Sequence, residues 1–473
     1  VDVAPYAASL LPEAQADVAA LDDPPVYTLD VRVDWDTHTV AGVETLLLTN
    51  NEPTPLDALY LRLYPNAPYY EEGQTDVGPI TLDTEPVESS VDETVLEAVL
   101  PQPLAPEEQV ELTIPFTVTV PQRPDRFGFE DDVMMLGHWY PTLAVYDDEG
   151  WNLDPYVAMG DAFYSEVGFY TVRLTVPDGT VVASTGVETE RIRLRTAESR
   201  ITLVSGATRD FALALSPRYL TLSRWVGATQ VTSFYLPGDE ESARAALNTS
   251  VGSIEVFSQH FGPYPYTEFD VVETPFLIGG SPGGMEYPGL VIISTNLYDE
   301  EALFADALEI IVAHETAHQW WYGIVGNNQV DEPWLDESFA SFSEILYLEE
   351  TYGDEIARAQ EALWIELPYL MVTTMGDDRP VATSLLEFDD SVVYSAIVYS
   401  KGALFLRKLR ELVGDETFFA IMRHHFETYR YGVAPPDGFE RAIAAVTDDA
   451  AALELYELWI LSDETPPELF EIP

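Results

Sequence analysis

Cysteine is absent from all 473 residues. The chain therefore has no disulfide and no thiolate ligand, so any metal must be held by His, Asp or Glu, and the redox compartment is left undecided. Lysine is nearly absent: Lys401 and Lys408 are the only two, and 82 acidic residues stand against 22 basic ones for a net charge of −60. A surface this negative repels nucleic acid and anionic lipid, which removes both from the expected partners. No run of 18 apolar residues occurs, so no membrane-spanning segment is expected.

What is present suits a large globular protein. Hydrophobic residues make up 47% of the chain, ample for real cores, and the length predicts two or three domains. A 52.7 kDa protein exposes roughly 18,000 Å², which places one net charge on about every 300 Å², some 17 Å apart. The screening length shrinks from about 10 Å at 0.1 M salt to about 3 Å at 1 M, so brine abolishes most of this self-repulsion. The expected setting is salt-rich: extracellular or cell-envelope, or the cytoplasm of a salt-adapted organism, with an acidic setting second.

The chain changes character once. Residues 1 to 22, VDVAPYAASLLPEAQADVAALD, show no sustained period and suggest a leader or tether. From Tyr27 the sequence reads as strand after strand. Tyr27, Leu29, Val31, Val33 and Trp35 alternate with polar residues, and Tyr170, Val172, Leu174 and Val176 repeat the pattern before the turn Pro177-Asp178-Gly179. This predicts an antiparallel β domain over 23–216. Beyond Pro217 helical signals dominate, and a catalytic domain is expected over 217–473. They include ALFADALEIIVAHETAHQWWYG closed by Gly323, PWLDESFASFSEILYLEETYG capped by Gly353, and three later stretches, the last ended by Pro466 and Pro467.

Inside the first of these helices lies HETAHQWW, His314 to Trp321. Residues i and i+4 share a helix face, so His314 and His318 can converge on one metal while Glu315 reaches a water on it. Three fixed letters alone arise easily by chance, and the bland reading is a polar helix end with satisfied histidines. Catalytic zinc takes three protein ligands and one open position. Glu337, with eighteen residues between it and His318, returns opposite the histidines if the two helices are antiparallel. The bland reading of Glu337 is a solvated first-turn carboxylate favoured by the helix dipole.

Taken with WLDESFAS, the upstream GGMEYP and the downstream VYSKGA, this motif resembles the aminopeptidase N family of zinc gluzincins. WYPTLAVYDDEGW and FYTVRLTVPDGTVVASTG extend the resemblance into the β half. The resemblance implies a saddle-like antiparallel β domain followed by a thermolysin-like, mostly helical α+β catalytic domain, in a short form without the family's C-terminal helical domain. It implies one Zn2+ per chain held by His314, His318 and Glu337, with Glu315 as general base. Glu286 matches the acid that binds the substrate's free α-amine, Tyr399 the tyrosine that hydrogen-bonds the oxyanion, and Gly283, Gly284 and Met285 the segment that lines the substrate. The implied reaction is hydrolysis of the N-terminal peptide bond of peptides by a metal-activated water, in a monomer.

The sequence departs from the family pattern at three places. Tyr287 stands for the usual Asn after the Glu, and Asp336 and Ser338 stand where Asn and Gly are common. Other residues take blander readings. His424 and His425 are read as packing or surface groups on an amphipathic helix, His138 and His260 as structural, and Trp320 and Trp321 as core. Tyr394 competes with Tyr399 for the oxyanion. Glu344 and Ser341, on a face similar to that of Glu337, either orient ligands or are solvated. Two alternatives stay open: an inactive binding scaffold, and an endopeptidase or epoxide hydrolase on the same metal.

Overall fold

Alternation of buried and exposed side chains builds the first half of the chain. In the computed structural model, which describes residues 2–277, 283–299 and 307–463, strand β1 (Val26–Asp34) buries Tyr27, Leu29, Val31 and Val33. It pairs antiparallel with β2 (Thr39–Thr49), which pairs with β3 (Gln109–Thr119). On its other edge β1 runs parallel to β4 (Gly168–Pro177), where Tyr170, Val172, Leu174 and Val176 are fully buried. β4 continues antiparallel through β5 (Glu198–Thr208). The sheet has nine strands and is antiparallel apart from the β1–β4 pair. That parallel pair was not expected from the alternation, which reports faces and not strand direction.

Contacts divide the chain into two compact units. The first comprises Val1–Tyr156, Ser165–Leu247 and Pro265–Leu308; the second comprises Val157–Tyr164, Asn248–Tyr264 and Glu309–Pro473. The first unit thus continues past Pro217 into a five-stranded sheet: β6 (Leu220–Val226), β7 (Thr229–Tyr235), β8 (Glu268–Thr274), β9 (Gly284–Met285) and β10 (Leu290–Ser294). Its edge hairpin, turning at Gly227 with φ +58°, leaves Leu220 and Trp225 exposed and has little inward face for a periodic signal. The N-terminal segment, whose composition suggested a tether, folds into a 3-10 turn and helix α1 (Pro12–Ala19). Tyr6, Leu10 and Val18 are buried there, with Tyr6 against Phe169 at 4.8 Å between ring centroids.

The second unit is helical. Helix α2 (Leu308–Ala317) is largely buried, its apolar residues interrupted by Glu309, His314, Glu315 and Thr316. Helix α3 (Trp334–Tyr352) is its hub, contacting α4 (Asp354–Glu361), a π-helical stretch at Ser395–Lys401, and α5 (Gly402–Val413). Gly353, at φ +86°, ends α3 and donates its N–H to Glu349 O, as its position in the sequence implied. Helix α6 (Asp415–Tyr429) and the helix Ala450–Tyr456 fall on expected stretches, whereas α4, the helix Leu367–Met375 and the π stretch lie outside them. Pro466, Pro467 and the first residues of the ALFADAL stretch lie outside the described residues. Among the described residues no helix is long and apolar enough to cross a membrane.

Candidate active site

Helix α2 ends at Ala317, and the chain turns on through His318, whose N–H reaches His314 O at 3.3 Å. The turn keeps the i, i+4 relation although His318 stands one residue beyond the helix. Both rings face Glu337 in the first turn of α3: His314 Nε2 and His318 Nε2 lie 3.2 and 3.3 Å from its Oε2 and 3.1 Å from each other. The expected trio is thereby gathered, each offering a donor atom within 4.8 Å of the others.

The outer nitrogens explain the inner ones. His314 Nδ1 lies 2.8 Å from Glu344 Oε2, and His318 Nδ1 lies 3.0 Å from the carbonyl of Trp321. Each acceptor claims the Nδ1 proton, which leaves the Nε2 lone pairs of the neutral rings pointing at one another and at a carboxylate. Three acceptors converging without a proton between them need a cation at their centre. The donors are nitrogen and oxygen, the set that suits zinc, and Glu344 and the Trp321 carbonyl fix the tautomers as outer partners of a metal site do. The residues present fit the ion.

With only protons available, the electrostatics show the same demand. Burial opposes a charged ring at His314, yet hydrogen bonds to Glu337 and Glu344 raise its pKa well above the usual range. Burial works against ionised Glu337 too, and the two histidines overcome it, holding the carboxyl far below its ordinary value. Glu315 is buried and its Oε2 has no hydrogen-bond partner among the described residues. Desolvation pushes it up to about 7 against the pull of His314 and His318, with Glu337 and Asp161 adding repulsion.

Tyr399 donates its hydroxyl to Glu337 Oε1 at 2.6 Å, and its ring stacks on His314 at 5.8 Å and 10°. Burial, with the Glu337 charge, keeps that phenol protonated. Tyr394 stands edge-on to Tyr399 at 5.9 Å, with its hydroxyl beside Gly160. Asp336, on the same turn as Glu337, accepts from Gln329 Nε2 at 2.8 Å, and burial raises it to about 7. Asp161 offers a carboxylate oxygen within 4.8 Å of one on Glu337. Nothing in the local sequence around Asp161 marks it, since it arrives on the short insertion Val157–Tyr164.

The remaining readings separate cleanly. Glu344 is the histidine's partner, whereas Ser341 lines a different cavity of about 280 Å³ in the second unit, beside Glu349, Arg407 and Arg410. His425 is enclosed by Trp321, Phe339, Tyr429 and Phe439, and burial holds it neutral with a pKa lowered to about 3. Trp320 and Trp321 pack the core, donating to Gly262 O and Ser343 Oγ. His260 lies 3.1 Å from Glu350. Gly283, Gly284, Met285 and Glu286 belong to the first unit. There β9 pairs Gly284 with Ile293 and Met285 with Ile292, Glu286 follows, buried, and the Tyr287 ring lies 5.4 Å from that of His138.

Comparison with known proteins agrees with this geometry. The chain is 29% identical to aminopeptidase M1-B of Oryza sativa subsp. japonica over 213 residues, 44% of this chain and 24% of the relative. It is 28% identical to human glutamyl aminopeptidase over 235 residues, 48% of this chain and 24% of the relative. The matched segment thus spans about a quarter of the length of these curated relatives. In fold it is similar to an M1 zinc metallopeptidase from Deinococcus radiodurans, with a TM-score of 0.69 at 22% identity, covering 94% of this chain and 95% of that one. Residues 245–459, which hold His314, Glu315, His318, Glu337 and Tyr399, match the Peptidase family M1 domain.

Proposed function

We propose that this protein is a zinc-dependent aminopeptidase that removes the N-terminal residue of peptides. One observation carries the reading: two imidazoles whose Nδ1 protons are claimed elsewhere, and one carboxylate, aim three acceptors at a common point. His314, His318 and Glu337 would hold one ion. Bound there, zinc supplies a Lewis acid that polarises a carbonyl and acidifies water.

The chain's own groups do the rest. Glu315 takes the proton of the attacking water through Oε2, which has no hydrogen-bond partner among the described residues, and passes it to the leaving amine. The Tyr399 hydroxyl, which donates to Glu337, turns its hydrogen bond to the carbonyl oxygen as negative charge develops. Glu286 pairs with the substrate's ammonium group, so that cleavage falls one residue from the terminus. The preference for a free amine rests on Glu286 and on the aminopeptidases among the relatives.

The test is a panel of free and N-acetylated peptides on metal-loaded protein of measured zinc content. A charge-assisted contact is worth about 1.5–3 kcal/mol, so acetylation and Glu286→Ala should each lower kcat/KM about ten- to a hundred-fold, and together no further. Equal rates on free and blocked peptides in the parent would make it an endopeptidase. Absence of stoichiometric zinc would leave only a scaffold.

A further inference from the structure

We infer that Ser338 is a positioning residue: its hydroxyl holds the stretch Ser395–Lys401 in π-helical register, and that register aims Tyr399 at Glu337. The inference rests on the role proposed for Tyr399 and adds the residue that places it.

In an α-helix the N–H of residue 402 would bond the carbonyl of residue 398. Here the Gly402 N–H reaches the carbonyls of Ile397 and Tyr399 instead. The carbonyl of Val398 has lost its α-helical donor, and a side chain supplies the replacement: Ser338 Oγ donates to Val398 O at 2.6 Å. Ser338 is fully buried, so bulk solvent does not compete for this bond. A π turn accommodates one extra residue, and one residue is about 100° of helix rotation. Returning the stretch to α register would therefore swing Tyr399 off the side that now faces His314 and Glu337.

Two neighbours support the same arrangement. A Cβ at Gly402 would collide with the Ser338 side chain, so the glycine gives α3 and the π stretch their close approach. At the far end Lys401 is fully buried, with Nζ 2.9 Å from Asp378 Oδ1 and 2.7 Å from Arg379 O, which anchors the last π residue. Ser338 is also the residue next to Glu337. A single turn of α3 thus carries the carboxylate that Tyr399 contacts and the hydroxyl that holds the Tyr399 helix in place.

Ser338→Ala removes one hydroxyl and adds no bulk. With Ser338 setting the register, kcat should fall about ten- to a hundred-fold while KM stays within about two-fold, as expected when a reacting group is misplaced by an ångström or so. In a Tyr399→Phe background the same change should cost less than about two-fold, because the group it positions is already gone. Independently of activity, amide exchange over 395–403 in the metal-free Ser338→Ala protein should be at least about ten-fold faster, that bond no longer protecting the π turn. Ser343→Ala, which removes another buried hydroxyl of α3 bonded to Phe339 O, should leave exchange over 395–403 unchanged. Equal losses from Ser338→Ala in both backgrounds, or unaltered exchange, would overturn the inference while leaving the reaction intact. A fully active Tyr399→Phe protein would overturn the reading of the reaction and this inference together.

Discussion

In the first unit Glu44 is fully buried on β2, opposite Leu29 on one side and Ile114 on the other, and neither of its oxygens has a hydrogen-bond partner among the described residues. In the second unit Glu337 is almost as deeply buried, yet it is met by two imidazoles and a phenol. Burial drives the Glu44 carboxyl well above its ordinary range, so it stays neutral, whereas Glu337 stays charged. Other buried acids take one course or the other. Asp270 and Glu273 of the first unit are raised by burial, Glu273 to about 8. In the second unit Asp378 pairs with Lys401, and Glu349 binds Arg410 through two hydrogen bonds at 2.8 Å. A chain with 22 basic residues cannot match every buried acid. Where a partner is missing, burial raises the carboxyl instead, as at Glu44 in the β core and at Glu315 and Asp336, raised to about 7, beside the histidines.

The charged side of this comparison breaks with the largest effect. His318→Ala should lose both zinc and turnover, measured by metal analysis and a peptide assay. Glu315→Gln should keep zinc and lose about 10²- to 10⁴-fold in kcat, the usual contribution of a positioned acid or base. A Glu315→Gln protein of near-normal rate would remove the central assignment. Next comes the phenol. Tyr399→Phe should lower kcat about 10²- to 10³-fold with KM little changed, the cost of one preorganised donor. If Tyr394→Phe shows that loss instead, the roles of the two tyrosines are exchanged.

These assignments show where the sequence could be read and where it could not. His314, Glu315 and His318 lie within one turn and a half, and Glu337 opens the following helix, so local spacing and capping carried that information. The buried faces of β1 and β4 were likewise written as alternation. The π register at Ser395–Lys401 left no trace, because Ala396, Ile397, Val398, Ser400 and Lys401 are all buried and a stretch enclosed on nearly every side has no polar stripe to record a one-residue shift. Asp161 was hidden for a different reason. It reaches the second unit on an eight-residue insertion between two segments of the first, a non-local event that no period reports. Glu44 is marked in the sequence by parity: it shares the inward positions of Val40, Leu46 and Leu48 on β2.

That parity makes the neutral side testable. A carboxyl whose folded pKa is raised binds its proton in the native state where the unfolded chain has released it, so its stabilising contribution is present below the unfolded pKa and lost as pH rises toward the folded one. For Glu44 the loss begins near the ordinary glutamate value of about 4.3 and proceeds at up to about 1.4 kcal/mol per pH unit. Glu44→Gln cannot ionise and lacks this slope. Its unfolding free energy relative to the parent should therefore improve steadily from pH 5 to pH 7 in denaturant titrations. A difference independent of pH would mean that Glu44 is ionised in the folded protein, and would erase the contrast with Glu337.

The smallest effect per contact comes from the surface. Spread over 19122 Å², the net charge of −60 leaves about 320 Å² per charge, or roughly 18 Å between neighbours, worth about 0.2 kcal/mol per pair in water before screening. Several neighbours per charge make this a large sum in dilute buffer, where the screening length is about 30 Å at 0.01 M, and a negligible one at about 3 Å in 1 M salt. Salt also weakens exposed ion pairs such as Arg407–Glu411 and Arg410–Asp415, but each is worth only about 0–1 kcal/mol and they are few. Repulsion is relieved when the chain expands, so screening favours the folded state and Tm should rise steeply to about 1 M NaCl and then flatten. Glu44→Gln should show the same curve, displaced upward at pH 7, because a neutral buried carboxyl contributes nothing to the surface field. A flat or falling Tm would sink the salt-adapted reading, and a variant curve of different shape would show that Glu44 carries charge after all.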